Sequence, residues 1–413
     1  MSTDPLTYFL DHGRGRPDHR AVEGPDRALT YKELVEAVGH LAGGLDALGV
    51  AEGDRVALHL GNSVDFVVAA LATLWVGALF VPLAVTDPEV RVGAIVADCA
   101  PVVVVTSGDD PVDCRAPAEG RPVWVTVSAL AASTAGPPAR CPADPARLAY
   151  AIYTSGTTGA PKGVLIPNSA FLAAVRATAE VVGIDGATRG LCVSPFHFDG
   201  SFATLFPTLF VGGTVVVRPR EALLFPRTFF NTVKREKITY TGFTPTYLKL
   251  LLTSPQMAEL GSGTLQILAL GGEASAAADI ASLWAAAPQI RVFNRYGPTE
   301  TTIAVTHAEL TPEIVTDGVV PLGRPHPGVS FHLIDDSGAV IDADDEIGEL
   351  YIGGSQLMHG YWGAPELTGD VLRADVVPGQ TVYRSGDLVL RNRAGDYVYV
   401  DRADRVIKRF GVR

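Results

Sequence analysis

The apolar residues near the start of the chain recur with a helical spacing. "TYKE" places Thr30 and Glu33 three residues apart, which is the pattern of a capping box at a helix start. The apolar positions that follow are spaced by three and four: Leu34, Val38, Leu41, Leu45 and Leu48. Gly49 is suited to end the helix. The pattern therefore predicts an amphipathic helix from about residue 31 to residue 48.

Short continuous apolar runs follow, and they alternate with helical patterns. "DRVALHL", "PVVVVTS", "GTVVVR" and "TLQILAL" are typical of buried strands. "TPTYLKLLL" is typical of a helix, with Thr244 as its N-cap and Pro245 in its first turn. Strands that alternate with helices predict parallel sheets covered by helices, with ligands near the carboxyl ends of the strands.

The pattern changes beyond about residue 320. "SFHLIDDSGAVI", "GELYIGG" and "DLVLRNRAGDYVYV" are short strand patterns joined by turn residues, which favours a small antiparallel β-barrel-like unit. The fold class predicted is α/β, with two parallel helix-flanked sheets and this added unit. We expect α/β subdomains over residues 1–320 and a β-rich subdomain over residues 321–403.

One apolar stretch, Phe66 to Val85, has the length of a membrane span. Gly77 lies where a helix would end, and Pro82 blocks its continuation. A buried helix followed by a buried strand is the better interpretation, so no membrane association is expected.

Composition narrows the classes of function. The 413 residues are 47% hydrophobic and 19% charged, so the chain can bury a large core. Its 33 basic and 45 acidic residues give a net charge of -12, and no basic stripe is present, which argues against nucleic acid as a partner. Four dispersed cysteines and the lack of a signal pattern at the start predict a cytoplasmic protein.

A loop rich in glycine and hydroxyl residues lies between two apolar runs. The segment "YTSGTTGAPKGV", residues 153–164, departs from the P-loop pattern, because Pro161 replaces the second glycine and Gly163 follows Lys162 in place of a hydroxyl residue. Glycines, hydroxyls and a lysine nonetheless suit a polyanion. A flexible linker is the alternative. The apolar flanks favour a phosphate-binding loop.

The order of the polar segments resembles a known family. "YTSGTTGAPKGV", "FDGS", "GGE", "NRYGPTETT", "GELYIGG", "YRSGDL" and "DRADRVIKRFG" follow one another from residue 153 to residue 411. This series closely resembles the adenylate-forming superfamily, and in particular the amino-acid adenylation domains of nonribosomal peptide synthetases. The resemblance begins at "LTYKEL" and covers nearly the whole chain.

The resemblance implies a two-step reaction. An amino acid carboxylate attacks the α-phosphate of ATP, releases pyrophosphate and forms an aminoacyl-AMP. The acyl group then passes to the phosphopantetheine thiol of a carrier protein. The cofactors implied are ATP and Mg²⁺, and the first step requires aligned reactants and neutralised phosphate charge.

The resemblance also implies residues for ATP. The positions are Thr154, Ser155, Gly156, Thr157, Thr158, Gly159, Lys162, Gly271, Gly272, Glu273, Asn294, Tyr296, Gly297, Thr299, Asp387, Tyr399 and Arg402. The loop would hold the β- and γ-phosphates, Tyr296 would stack on adenine, and Asp387 would accept the ribose hydroxyls. Glu300 would bind Mg²⁺. The residues implied in catalysis are Thr158, Lys162 and Glu300.

A second group of residues matches the family's substrate pocket. Its members are Phe198, Asp199, Gly200, Ala203, Gly242, Ala269, Gly271, Arg295, Ile303 and Ala304. Asp199 would pair with the substrate ammonium, although it could also cap a helix that begins at Gly200. The many small residues predict a roomy cavity. Arg295 would favour a large or polar amino acid, including one with an acidic or acceptor-bearing side chain, unless it turns outward to phosphate or to a surface acid.

The resemblance places the family's hinge at Asp404, and residues 404–413 would begin a further domain. In relatives that domain carries the lysine that bridges the carboxylate and the α-phosphate, so we expect this chain to bind ATP and substrate but to adenylate slowly. Two alternatives are an acyl- or aryl-CoA ligase, which Asp199 argues against, and a nucleotide-binding module without full activity.

Overall fold

The structure is a computed structural model that describes residues 4–108, 122–155, 161–315 and 318–403. The hairpin connection at residues 156–160, and with it Gly156, Thr157, Thr158 and Gly159, lies outside the described residues, as do Asp404 and the residues after it. The side chain of Ser155 is likewise not described.

Two of the sheets are mainly parallel. In order across the first sheet, the strands are Thr306–Leu310, Arg291–Tyr296, Ile267–Gly271, Tyr240–Phe243, Arg189–Cys192, Thr214–Val217, Arg20–Glu23 and Ala28–Thr30. The second contains Gly360–Tyr361, Pro161–Pro167, Leu148–Ser155, Leu79–Pro82, Arg55–His59, Val103–Thr106 and Val123–Thr126. Antiparallel pairing is confined to the outermost pair at each edge of the first sheet and to the two outermost pairs at one edge of the second.

The third sheet is antiparallel and barrel-like. Its strands are Val340–Ile341, Val329–Ile334, Ile347–Gly354, Gln380–Arg391 and Leu372–Val377, and Tyr397–Arg402 also pairs with Gln380–Arg391. The predicted fold class is therefore confirmed. The subdomain boundary at residues 320 and 321 stays a prediction, and the short strand Gly360–Tyr361 from the later segment joins the second sheet.

Helices cover the parallel sheets. The α-helices are Thr7–Gly15, Tyr31–Ala47, Val64–Trp75, Glu89–Cys99, Val127–Ala131, Asn168–Val182, Phe202–Phe210, Arg220–Leu223, Pro226–Arg235, Pro245–Leu252, Ala277–Ala286 and Pro365–Val371. The 3-10 turns are Asp199–Ser201, Pro255–Ser262 and Thr299–Thr301. Thr30 and Glu33 form the predicted capping box, and Thr244 caps the helix Pro245–Leu252.

The apolar stretch that begins at Phe66 folds as the sequence predicts. The helix Val64–Trp75 ends before Gly77, whose φ is +80°, and the strand Leu79–Pro82 follows. Across the described residues, no helix combines the length and apolarity that a membrane crossing requires.

Aromatic packing joins the first two sheets and positions the segment around residue 199. Phe202 opens the helix Phe202–Phe210, and its ring lies 5.2 Å from that of Tyr150 and 5.8 Å from that of Phe80. Tyr150 and Phe80 belong to the second sheet. The 3-10 turn Asp199–Ser201, immediately before this helix, is therefore anchored to the hydrophobic core.

Candidate active site

Two neighbouring cavities open beyond the carboxyl ends of strands Ile267–Gly271 and Arg291–Tyr296. The larger one, the nucleotide cavity, encloses about 860 Å³ and is lined by polar residues that include Asn294, Tyr296 and Asp387. The smaller one, the amino-acid cavity, encloses about 360 Å³ and is lined by Asp199 and Arg295 among others. They meet at Gly272, Glu273, Arg295 and Gly297, which line both.

Side chains of the nucleotide cavity are held by one another. The Tyr296 hydroxyl donates to Asp387 Oδ2 at 2.5 Å, and Arg402 Nη1 donates to Asp387 Oδ1 at 3.0 Å. Arg402 Nη1 also donates to the carbonyl of Ser385 at 2.8 Å. Burial, followed by the Asp387 charge, raises the pKa of Tyr296 well above its ordinary value, so its hydroxyl remains a donor.

Hydrogen bonds within the protein also hold the side chain of Asn294. Its Nδ2 donates to the carbonyl of Pro321 at 2.8 Å, and its Oδ1 accepts from the Ser275 hydroxyl at 3.1 Å. The oxygen has a second lone pair, so it can also accept from an adenine amine. Tyr399, Gly272 and Glu273 line this cavity, whereas Gly271 lines the amino-acid cavity. The Glu273 carboxylate turns toward Thr246.

A lysine, a tyrosine and a glutamate form a cluster at the start of strand Pro161–Pro167. Lys162 lies directly opposite Thr154 in the hairpin, and Thr154 Oγ1 is buried without a hydrogen-bond partner. The Tyr361 hydroxyl accepts from Lys162 Nζ at 3.1 Å and donates to Glu300 Oε1 at 2.7 Å. Lys162 Nζ lies 3.8 Å from the same carboxylate oxygen.

The cluster suits a magnesium nucleotide. Glu300 is only 8% exposed, and its position in the turn Thr299–Thr301 is fixed by the Met358 amide, which donates to its carbonyl at 2.9 Å. Mg²⁺ in nucleotide sites is commonly held by one or two carboxylates together with phosphate oxygens and water. A single carboxylate beside a lysine and a phosphate-type loop fits that pattern.

Asp199 lines the amino-acid cavity and has one carboxylate oxygen without a hydrogen-bond partner. Its Oδ2 is buried and has no hydrogen-bond partner within the protein. Burial raises the pKa of Asp199 to about 6, although a hydrogen bond from Thr299 and the charge of Arg295 lower it in part. The α-helix begins at Phe202, after the 3-10 turn Asp199–Ser201, and a hydrogen bond from the Gly200 amide also lowers the pKa of Asp199, so the capping alternative stays a prediction.

Arg295 is buried and lines the amino-acid cavity, so it does not turn to a surface acid; it also lines the nucleotide cavity, and the alternative of a phosphate partner stays a prediction. The residue is 7% exposed, and a Cβ added at Gly271 would lie 2.9 Å from its Nε. Cβ atoms at Gly200 and Gly242 would lie 3.5 Å from its terminal nitrogens. Gly271 therefore makes room for the arginine, whereas a Cβ at either of the other two positions would be in ordinary van der Waals contact with it, and the expectation of a roomy cavity stays a prediction.

The remaining substrate-pocket residues divide into two groups. Phe198 and Ile303 line the cavity with Asp199, Gly200, Gly271 and Arg295. Ala203, Gly242, Ala269 and Ala304 are not among the lining residues, and the three alanines are fully buried. A role for these four residues in substrate binding stays a prediction. Thr302 and Ile303 both have positive φ, of 61° and 68°, which is uncommon for such residues and is typical of functional sites.

Several site residues were not predicted from the sequence. Tyr361 lies 199 residues from Lys162 and reaches it because Gly360–Tyr361 pairs with Pro161–Pro167. No local pattern around Tyr361 indicates that contact. Arg220 lines the amino-acid cavity, and Ser275 holds Asn294. Their roles depend on tertiary packing.

The fold and the paired cavities define an α/β nucleotide-binding protein that can hold a carboxylic acid beside the nucleotide. Residues 9–362 match the AMP-binding enzyme family, and the chain belongs to that family.

Comparison with known proteins agrees with this assignment. The chain is 35% identical to phosphinothricin tripeptide synthetase PhsC of Streptomyces viridochromogenes over 433 aligned residues, which cover 100% of this chain and 38% of that protein. The structure of CmiS6 matches with a TM-score of 0.85 and 28% identity, covering 97% of each chain. The four-domain nonribosomal peptide synthetase AB3403, bound to AMP and glycine, matches with a TM-score of 0.85 and 27% identity, covering 98% of this chain and 29% of that one.

Proposed function

We propose that this chain activates the carboxylate of an amino acid with ATP, forming an aminoacyl-AMP and pyrophosphate. The observation that carries the proposal is the buried, unpaired Oδ2 of Asp199 in a cavity that adjoins the nucleotide cavity. A carboxylate at that position is a partner for a substrate ammonium. The comparisons support the same proposal, because one of the matching structures is a nonribosomal peptide synthetase bound to AMP and glycine.

The geometry suggests how the chain holds the reactants. Asp387 and Arg402 bind the ribose, Asn294 and Tyr296 bind the base, and Lys162 lies at the phosphate end. With the amino acid fixed at Asp199, its carboxylate oxygen bonds to the α-phosphorus as the bond to the pyrophosphate oxygen breaks. The chain contributes alignment and charge compensation, which are the main requirements of such a transfer.

Glu300 is the residue proposed to hold Mg²⁺, which when bound would neutralise phosphate charge. The Tyr361 hydroxyl donates to Glu300 and accepts from Lys162, so it fixes the separation of an anionic and a cationic group at the phosphate end. Burial, followed by the charge of Glu300, raises the pKa of Tyr361, and the hydroxyl therefore stays protonated.

The acceptor of the activated acid is proposed to be the phosphopantetheine thiol of a carrier protein. Support comes from the relatives that are peptide synthetases, of which this chain spans 38% and 29%. Free thiols at Cys99, Cys141 and Cys192 are compatible with the cytoplasmic location that the sequence predicts. The substrate is proposed to be a large or polar amino acid because Arg295 enters the cavity.

A thermal-shift panel tests the proposal without requiring turnover. The probes are non-hydrolysable acyl-sulfamoyl adenosines that carry amino acids, together with the matching des-amino acids and aryl acids. A ligand at 1,000 times its Kd stabilises the folded state by about 4 kcal/mol. We expect only probes with an ammonium group to raise the melting temperature strongly. Equal shifts from des-amino probes would identify an acyl or aryl ligase instead.

A further inference from the structure

Arg295 is a buried cation whose Nη1 has no hydrogen-bond partner within the protein. Alternate residues of a strand face opposite sides, so the Arg295 side chain leaves the strand on the face opposite to Asn294 and Tyr296, although Arg295 also lines the nucleotide cavity. Leaving a buried charge unpaired is costly, and such groups normally have an anionic partner. Arg295 therefore requires an anionic partner.

Asp199 is not that partner. Asp199 Oδ2 and Arg295 Nη1 are each buried and each lack a hydrogen-bond partner, although both residues line the amino-acid cavity. The cavity therefore presents a separated anion and cation. A ligand that carries both an ammonium and an anionic group can satisfy the two together.

A chain of buried hydrogen bonds determines the protonation of the histidine beside Arg295. Gln356 Nε2 donates to the carbonyl of Ala304 at 2.6 Å, so its Oε1 accepts from His326 Nδ1 at 3.1 Å. His326 Nε2 must then accept from His307 Nδ1 at 2.9 Å. This order places a proton on His307 Nδ1, and burial lowers the pKa of His307 well below its ordinary value, so the ring is neutral and Nε2 is unprotonated.

His307 lies directly opposite Arg295 on the neighbouring antiparallel strand. Side chains at such positions are cross-strand neighbours on the same face. His307 Nε2 is buried and has no hydrogen-bond partner. A neutral acceptor beside the guanidinium can restrain its position but cannot cancel its charge. The positive charge of Arg295 is therefore available to pair with an anionic group of a ligand.

We propose that the amino acid activated by this chain carries a second anionic group on its side chain, that Arg295 binds this group, and that His307 positions Arg295. The proposal rests on the proposed function and specifies its substrate class. Asp199 binds the ammonium, and the planar guanidinium suits the two oxygens of a carboxylate or of a similar oxyanion. His307 is a positioning residue because it acts through Arg295.

The test is calorimetric titration of the full 413-residue chain with sulfamoyl adenosines acylated by glutamate, glutamine, aspartate and asparagine. We expect one acidic probe to bind about 10- to 100-fold more tightly than its amide twin, because a hydrogen bond to a charged group is lost in the amide. Arg295→Gln should remove this preference. Equal binding of every acid and its amide, or a preference that survives Arg295→Gln, would overturn the proposal.

Arg220 provides a matched control in the same cavity. Its Nη1 donates to the carbonyl of Val193 at 3.1 Å, so it already has an acceptor. Arg220→Gln should keep the preference for the acidic probe. If Arg220→Gln removes the preference for the acidic probe and Arg295→Gln does not, Arg220 binds the anionic group and the assignment to Arg295 is wrong.

His307→Leu tests the positioning role. We expect the ratio of the Kd values for the amide and acid probes to fall several-fold, whereas a purely structural role would weaken both probes equally. An unchanged ratio would remove His307 from the proposal. The des-amino forms of the same probes separate this inference from the proposed function. If they bind as tightly as the amino forms, the proposed function fails; if they bind weakly and no acid is preferred, only this inference fails.

Discussion

The two cavities differ in how their polar groups are satisfied. In the nucleotide cavity, Asp387 is held by Tyr296 and Arg402, and both polar atoms of Asn294 already have partners. In the amino-acid cavity, atoms of Asp199 and Arg295 are buried without any. The protein itself therefore holds the side chains of the nucleotide cavity in place, whereas the proposed function leaves the charges of the amino-acid cavity to pair with a ligand. Groups that the protein already holds in place lose less conformational freedom when a ligand binds. Buried polar groups without partners make binding selective, because a ligand that does not pair with them binds poorly.

The largest expected effect concerns the nucleotide cavity. Asp387→Ala removes the proposed ribose acceptor and leaves Arg402 without this carboxylate. We expect the affinity for AMP to fall by roughly 100-fold, as calorimetry would measure, because charge-assisted hydrogen bonds are lost. Asp396→Ala is the control, since Asp396 contacts Arg324 at the surface at 3.4 Å. Equal affinities for the two variants would contradict the ribose assignment.

A pH titration sharpens the contrast between the cavities. The folded pKa of Asp199 is raised to about 6, so the carboxylate is ionised above that pH and protonated below it. At pH 5 about one tenth of the protein carries the anion, and an aminoacyl-sulfamoyl adenosine should bind about tenfold more weakly than at pH 7.5. The des-amino probe should not show this loss. A parallel loss for both probes would remove Asp199 as its cause.

The raised pKa of Asp199 also predicts how the free energy of unfolding depends on pH. Between the ordinary pKa of 3.8 and about 6, the folded state holds a proton that the unfolded chain has released. The free energy of unfolding therefore falls as the pH rises through this window. Asp199→Asn lacks this contribution, so its melting temperature relative to the unmodified chain should rise from pH 4 to pH 7. A constant difference would show that the pKa is not raised.

Tyr361→Phe tests the phosphate end with a smaller expected effect. The variant keeps the ring, whose centroid is 4.4 Å from Lys162 Nζ, but loses the hydroxyl that joins Lys162 to Glu300. We expect the Kd for magnesium ATP to rise about three- to tenfold, the range of one lost hydrogen bond, with no change for AMP. A change for AMP of the same size would place the tyrosine's effect outside the phosphate end.

Thr30→Ala should have the smallest effect and leave both cavities intact. Thr30 caps the helix Tyr31–Ala47, and its replacement should lower the free energy of unfolding by about 1 kcal/mol. Urea denaturation measures this change. The Kd values for AMP and for the amino probe should be unaltered; if they change, stability and ligand binding are coupled more widely than the account allows.

Much of the fold follows from local signals. The capping box at Thr30 and the glycine at position 77 were predictable because each acts on its own backbone. The orientation of Arg295 was not, since it depends on Gly271 of the neighbouring strand, which leaves room for the guanidinium. The contact of Tyr361 with Lys162 and the histidine chain behind Arg295 depend on strand register. Sequence therefore indicates which residues form the site, and tertiary packing decides which groups are paired.

A double-mutant cycle between Asp199 and the ligand amine is the sharpest test of whether Asp199 binds the ammonium group of the substrate. Calorimetry would give four Kd values, for the unmodified chain and Asp199→Asn, each with an aminoacyl-sulfamoyl adenosine and its des-amino twin. We expect the amine to strengthen binding at least tenfold in the unmodified chain and to contribute little in the variant, which isolates one pairwise interaction. An equal gain from the amine in both proteins would show that Asp199 does not bind the ammonium, and the account would fail.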